Sequence, residues 1–102
     1  MINTKVIEML EEIADLLEMR KDNPFKIRSY RLAARNIGSL DIDLRDLHRQ
    51  GRLRSIPGVG SAISDKIAEI IDTGELRYLQ RLRQEILGSD LPLVRLPSKE
   101  EE

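Results

Sequence analysis

The chain has no cysteine, no tryptophan and a single histidine, His48. Without thiols there is no disulfide, no thiolate metal site and no cysteine nucleophile, and one imidazole cannot assemble the ligand sets that hold zinc. Metalloenzymes of that kind and cysteine hydrolases are excluded. No apolar run reaches the roughly 18 residues that cross a bilayer, and the N-terminus lacks the basic-then-apolar order of a secretory signal. A cytoplasmic protein with no membrane partner is expected. Aromatics are scarce as well: Phe25, Tyr30 and Tyr78 offer little ring surface on which unpaired bases could stack. At 102 residues there is room for one domain only. A chain of this size buries about 65% of the surface it exposes when unfolded, enough for a core but not for a deep, enclosed cofactor cavity. A monomer that requires no cofactor is expected.

Charge is what the sequence has in abundance, with 17 Lys and Arg against 18 Asp and Glu and a net charge of -1. That total argues against nucleic acid until it is sorted by position. Residues 1–23 hold three cations and six acids, giving -3; residues 24–54 hold eight cations and three acids, giving +5; residues 55–87 sum to -1 and residues 88–102 to -2. The central cations are Lys26, Arg28, Arg31, Arg35, Arg45, Arg49, Arg52 and Arg54. All but one are arginine, whose planar fork suits phosphate better than an ammonium does. An acidic total therefore conceals a cationic segment.

From Asn3 to about Lys21, Val6, Leu10, Ile13 and Leu17 recur at spacings of 4, 3 and 4 and share one helix face. Asn3 or Thr4 is placed to cap that helix, and Glu8, Glu11 and Glu12 favour its N-terminal half. Asn23-Pro24 predicts a second helix, from Pro24 to about Ile37, because asparagine caps and proline suits the first helical position; Gly38 stops it. On its wheel Phe25, Leu32, Ala33 and Ile37 fall on the core side, with Ser29 and Asn36 among them and Tyr30 at the edge, its hydroxyl in water. Arg28, Arg31 and Arg35 lie within about 60° of one another on the other side. No Asp or Glu occurs between Lys26 and Leu40 to offset this stripe.

A short helix is predicted over about 43–50, with Gly51 as its stop. A strongly patterned helix from Ser61 to Asp72 turns Ile63, Ile67, Ile70 and Ile71 inward and ends at Thr73-Gly74. The last helix, about Glu75 to Ile86, buries Leu76, Leu79, Leu82 and Ile86. No segment alternates as a strand does. The expected fold is all-α, a compact bundle of four to five short helices over residues 1–87. Residues 88–102, with Gly88, Pro92, Pro97 and a closing run of acids, read as an irregular tail, ordered only where Leu91, Leu93, Val94 and Leu96 pack back.

Ile56-Pro57-Gly58-Val59-Gly60 joins two of these helical segments. Glycines at 58 and 60 let the backbone turn tightly and let a phosphate approach without a Cβ in the way. Val59 anchors the turn in the core, and Pro57 stiffens the chain leading into it. The amides of Gly58, Val59, Gly60 and Ser61 then sit at the start of the next helix, where unpaired N–H groups and the helix dipole favour an anion. A DNA phosphate is the natural candidate.

The whole pattern, Arg54-x-Ile-Pro-Gly-Val-Gly60-x-x-Ile63-x-x-Lys66-Ile67, resembles the helix-hairpin-helix motif, a sequence-independent binder of DNA backbone. Ile13-Ala-Asp-Leu-Leu-Glu18, Asn23-Pro-Phe-Lys-Ile-Arg-Ser-Tyr-Arg-Leu-Ala-Ala34 and Thr73-Gly-Glu-Leu76 extend the likeness. Together they resemble, over about residues 5–86, the N-terminal domain of family X DNA polymerases, with the bacterial and archaeal members the closer match. The resemblance implies binding to gapped, nicked or 5′-phosphorylated duplex DNA in repair. It also implies that Lys66 corresponds to the lysine that, in several members, removes 5′-deoxyribose phosphate through a Schiff base. Such an amine must be neutral to attack, which requires burial or nearby cations to depress its pKa. Lys26 and Tyr30 match residues lining the family's lyase pocket, and Asp65 keeps the carboxylate beside the nucleophile. Ala62 and Tyr78 stand where the vertebrate domains carry lysines, so two cations are lost, with Arg28 and Arg31 as candidate substitutes. The family likeness further implies a monovalent cation, K+ or Na+, on the backbone carbonyls of Arg54, Ile56 and Val59.

Nothing after residue 87 supplies the paired aspartates that a polymerase active site needs, so the chain does not polymerise alone. Met1 and the acidic end read as natural termini of a small protein, with a separately encoded polymerase or repair protein as a candidate partner. The competing reading is a helical protein-interaction domain with the same topology, little DNA affinity and an exposed apolar patch around Ile27, Ala34 and the segment 91–96.

Overall fold

The computed structural model describes residues 1–93, and within them the chain is entirely helical. Helix α1 spans Asn3–Met19, α2 Pro24–Gly38, α3 Leu44–Arg49, α4 Ser61–Thr73 and α5 Arg77–Leu87, with a single 3-10 turn at Leu53–Ser55 before the hairpin. Val94 and Leu96 lie outside the described residues. Among the described ones no helix is long and apolar enough to cross a membrane.

The inward stripe of α1 is the expected one: Val6, Leu10, Ile13 and Leu17 are fully buried, joined by Ala14 and Leu16. It packs most extensively on α2, where Tyr30, Ala33, Ala34 and Ile37 are buried. Ile63, Ile67 and Ile70 of α4 and Leu76, Leu79 and Leu82 at the start and middle of α5 complete one core. Each such aliphatic side chain contributes about 1.5–3 kcal/mol through removal from water. Leu44 and Leu47 pin the short α3, while Leu53, Ile56 and Val59 pin the hairpin arm.

Polar ties hold the periphery. Arg83 on α5 donates from Nε and Nη2 to the Glu12 carboxylate on α1, both at 2.7 Å, with each side chain only 12% exposed. The backbone N–H of Leu93 donates to the same carboxylate at 2.9 Å, so the start of the expected tail is anchored while Leu91 remains 72% exposed. His48 Nε2 meets Asp72 at 3.1 Å and links α3 to α4.

Several local expectations are corrected. Asn3 does not cap its own helix; it is buried, donates to the carbonyl of Ile42 and accepts from the N–H of Leu44, both at 2.9 Å, and so fastens the start of α3 to α1. Helix α1 stops at Met19 because Lys21 turns left-handed at φ 57°, where the Asp22 N–H reaches back to the Leu17 carbonyl. Asn23 caps α2 as expected, its side chain accepting from the Phe25 N–H at 2.9 Å. Helix α5 begins at Arg77 because the Glu69 carboxylate accepts that residue's N–H at 2.9 Å, leaving Glu75 in the turn with Thr73. Phe25 and Leu32, placed on the core side by the wheel, are 71% and 40% exposed.

Candidate nucleic-acid interface

The hairpin is built by the sequence Ile56–Gly60 closing on itself and on α2. The Val59 N–H donates to the Ile56 carbonyl at 3.0 Å, which folds the turn, so that amide, expected among the phosphate donors, is already engaged; both side chains are buried beneath the turn. Gly58 takes φ +85°, a left-handed geometry that L side chains resist. A Cβ at that position would lie 3.1 Å from Leu32 Cγ and 3.3 Å from Asn36 Nδ2, so the turn is seated against α2. Asn36 also donates to the Pro57 carbonyl at 2.6 Å.

Gly60 serves a different purpose from Gly58. Its φ of -89° is open to any residue, and a Cβ there would meet nothing within 4 Å. What it leaves clear is the approach to α4. No side chain caps that helix, so its first amides have no intrahelical partner and the dipole's positive end faces open space. Ser61 and Ala62 are exposed there.

The cations of α2 distribute themselves around this turn. Arg28 and Arg35 are exposed and lie one helical turn either side of Leu32, which packs over Gly58; they therefore bracket the hairpin. Arg28 lies over the Phe25 ring, 5.6 Å from its centroid. Arg54 is exposed in the arm leading into the turn. Arg31 departs from the expected stripe, because acids of another helix hold it: Asp15 of α1 at 3.1 Å and Glu18 at 2.8 Å. Its charge is therefore offset by α1 and not left open like those of Arg28 and Arg35.

Five residues into α4, half-buried Lys66 reaches toward α5. Its Nζ lies 4.6 Å from the centroid of the Tyr78 ring, and Lys26 Nζ from α2 lies 5.8 Å from the same centroid. The Tyr30 ring stacks on Tyr78 with centroids 6.5 Å apart. Lys66, Lys26 and Tyr30, expected together from the resemblance, are thus brought together by three helices. Burial depresses the Lys66 ammonium below the ordinary lysine range; Lys26 and Arg81 push the same way, and Asp65 and Glu69 oppose. Tyr30 is only 4% exposed, deeper than its expected edge position, and burial with the adjacent Tyr78 phenol raises its pKa.

A cavity of about 390 Å³ opens beside Lys66, lined by Asp65, Glu69, Arg77, Tyr78 and Arg81. Arg77 is paired with Glu69 at 3.2 Å, while Arg81 faces the cavity from an exposed position. Arg77 and Arg81 escaped the sequence reading, since α5 carries them at a spacing that any solvated helix face would share. A larger cavity of about 560 Å³ between α1 and α5 is rimmed by Glu8, Glu11, Glu12 and Asp15, whose charge is unsuited to phosphate. The apolar patch expected for a protein-docking domain does not form at its proposed centre: Ala34 is 2% exposed and Ile27 is half-buried against the core.

Comparison with known proteins agrees with this geometry. Residues 1–76 match the family of helix-hairpin-helix domains. Over 92 residues, 90% of the chain, the sequence is 36% identical to the DNA polymerase/3'-5' exonuclease PolX of Bacillus subtilis (strain 168), and it spans 16% of that protein's length. Both findings bear out the resemblance carried by the hairpin and the α2 motif.

Proposed function

The chain belongs to the helix-hairpin-helix domain family, and on that premise we propose that it is a sequence-independent DNA-binding module for backbone phosphate at gaps, nicks and 5′-phosphorylated ends in DNA repair, with 5′-deoxyribose phosphate lyase activity at Lys66. One juxtaposition carries the reading. The uncapped start of α4 lies open behind Gly60, and the same helix presents Lys66 with its pKa depressed. The amides of Gly60, Ser61 and Ala62 hold a phosphate, Arg28, Arg35 and Arg54 neutralise its neighbours, and Lys26 with Arg81 receives the terminal 5′-phosphate beside Lys66. Contacts of this kind read backbone and not bases. K+ or Na+ would sit on the carbonyls of Arg54, Ile56 and Val59, adding positive charge under the phosphate; Ile56 retains a second lone pair beyond the one given to Val59.

For the lyase step, the neutral Lys66 amine attacks the C1′ aldehyde of the ring-opened sugar, and water leaves to form an iminium. The C2′ proton, acidified by that iminium, passes to a base, for which the Asp65 carboxylate is the neighbouring group. The C3′–O bond then breaks, and the downstream phosphate departs with the electron pair. Water hydrolyses the imine and restores the lysine.

The test is binding to intact, nicked and 5′-phosphorylated gapped duplexes over a salt series, with borohydride added to an incised abasic substrate. Neutralising about five phosphates predicts a slope of log K against log salt near -4.5. Borohydride should trap an adduct that Lys66→Ala abolishes. A slope near zero defeats the binding claim, and trapping that survives Lys66→Ala moves the nucleophile elsewhere, with Lys26 next.

A further inference from the structure

Tyr78, in the first turn of α5, is a meeting point for groups from three other positions in the fold. Lys66 Nζ of α4 and Lys26 Nζ of α2 lie 4.6 Å and 5.8 Å from its ring centroid, and the Tyr30 ring stacks against it at an interplanar angle of 16°. Its hydroxyl is buried beside the phenol of Tyr30. What Tyr78 offers the two ammoniums is its ring. The negative face of an aromatic attracts cations within about 6 Å of the centroid, and its carbon skeleton keeps water from them. Two ammoniums from separate helices repel one another in the open. A shared ring offsets that repulsion and fixes their separation.

We infer that Tyr78 is a positioning residue for the Lys66 amine, its ring gathering Lys66 and Lys26 so that the nucleophile is held half-buried beside a second positive charge. The inference rests on the lyase reading for the use made of that amine, while the arrangement itself can be measured without DNA. Burial and the Lys26 charge are the two leading causes that depress Lys66, and the ring maintains both. The position where the family resemblance implies a lost cation is thus occupied by a group that organises two remaining ones.

The experiment follows the side-chain εCH2 resonances of the five lysines in the 13C-labelled, DNA-free chain over a pH titration. Ring currents should displace Lys66 and Lys26 upfield of exposed Lys21, and Lys66 should lose its proton below the ordinary lysine range. Tyr78→Phe keeps the displacements and the titration. Tyr78→Leu loses the displacements and moves the Lys66 titration up toward the ordinary lysine range. If the leucine variant does not fold, Lys26→Met provides the second reading: the ring stays, the Lys66 displacement persists, and the Lys66 titration moves upward. Borohydride trapping by the same proteins should follow the titration, with wild type and Tyr78→Phe sharing one pH profile. Undisplaced Lys66 resonances in the wild type, or a leucine variant with wild-type titration, overturn the inference. So does a phenylalanine variant that behaves like leucine, because the ring would then not suffice. If the lysines behave as expected yet nothing is trapped, the lyase reading fails and the positioned amine stands.

Discussion

Alanine at Gly58 and alanine at Gly60 should have very different effects on stability although the two glycines share one motif. At Gly58 the backbone is left-handed, with φ +85°, which costs an L residue about 1–2 kcal/mol. The new Cβ would also lie 3.1 Å from Leu32 Cγ and 3.3 Å from Asn36 Nδ2, adding about 1–2 kcal/mol of crowding. Reduced freedom in the unfolded chain returns about 0.4–1 kcal/mol. The net loss is about 2–3 kcal/mol, or a fall in Tm of about 10–20 °C for a domain of this size. At Gly60 the backbone is ordinary and the space is empty, so the unfolded-state gain of about 0.4–1 kcal/mol meets only the comparable preference for glycine over alanine at a helix N-cap, and stability should change little. The same methyl stands before the α4 amides, and loss of a charged phosphate contact there should weaken DNA binding about 10-fold to 100-fold. Calorimetry and fluorescence anisotropy with a gapped duplex separate the two effects. Gly60→Ala binding DNA as wild type would refute the phosphate role, and Gly58→Ala with an undiminished Tm would refute the packing argument.

Removing half of the Glu12–Arg83 pair, with Glu12→Gln, should cost about 2–3 kcal/mol in urea unfolding, because the guanidinium is left little exposed and its bidentate partner is gone; no loss of stability would show the pair to be dispensable. Tyr78→Phe removes a buried hydroxyl that lies beside the Tyr30 phenol and should change stability by no more than about 1 kcal/mol; a larger loss would show that the hydroxyl is firmly bonded. Asp43 is held at about 2, chiefly by the hydrogen bond from the Arg45 side chain and then by the Arg45 N–H. Since its folded pKa lies below the unfolded value, its contribution to stability is full above about pH 4 and is lost as pH falls toward 2. Asp43→Asn should therefore flatten the stability-pH curve between those values, and an unchanged curve would argue against the assignment.

Much of this molecule is legible locally. The Asn23-Pro24 helix start and the isoleucine face of α4 needed only short-range rules, because each depends on residues within a few positions of each other. What escaped depends on distant partners. Asn3 fits the rule for a cap, yet its partners, Ile42 and Leu44, lie some forty positions away and only the docked fold brings them to it. Counting acids near Arg31 could not find Asp15 and Glu18, which belong to the neighbouring helix. The wheel identified the apolar arc of α2 but not how much of it is covered; Leu32 meets a glycine, which has no side chain to shield it. At the candidate site the hairpin, Lys66, Lys26 and Tyr30 were readable from pattern and resemblance. The part played by Tyr78 was not, since a ring becomes a platform for cations only when three helices converge on it.

The central claim, that phosphate is held at the start of α4, is tested most directly by a 1H-15N titration of the chain with a duplex carrying a 5′-phosphorylated one-nucleotide gap. The amides of Gly60, Ser61 and Ala62 should shift first and furthest, with α2 around Arg28 and Arg35 next. The changes should fade as salt is raised. Shifts confined to the acidic face of α1, or a spectrum unmoved by DNA at low salt, would contradict the claim.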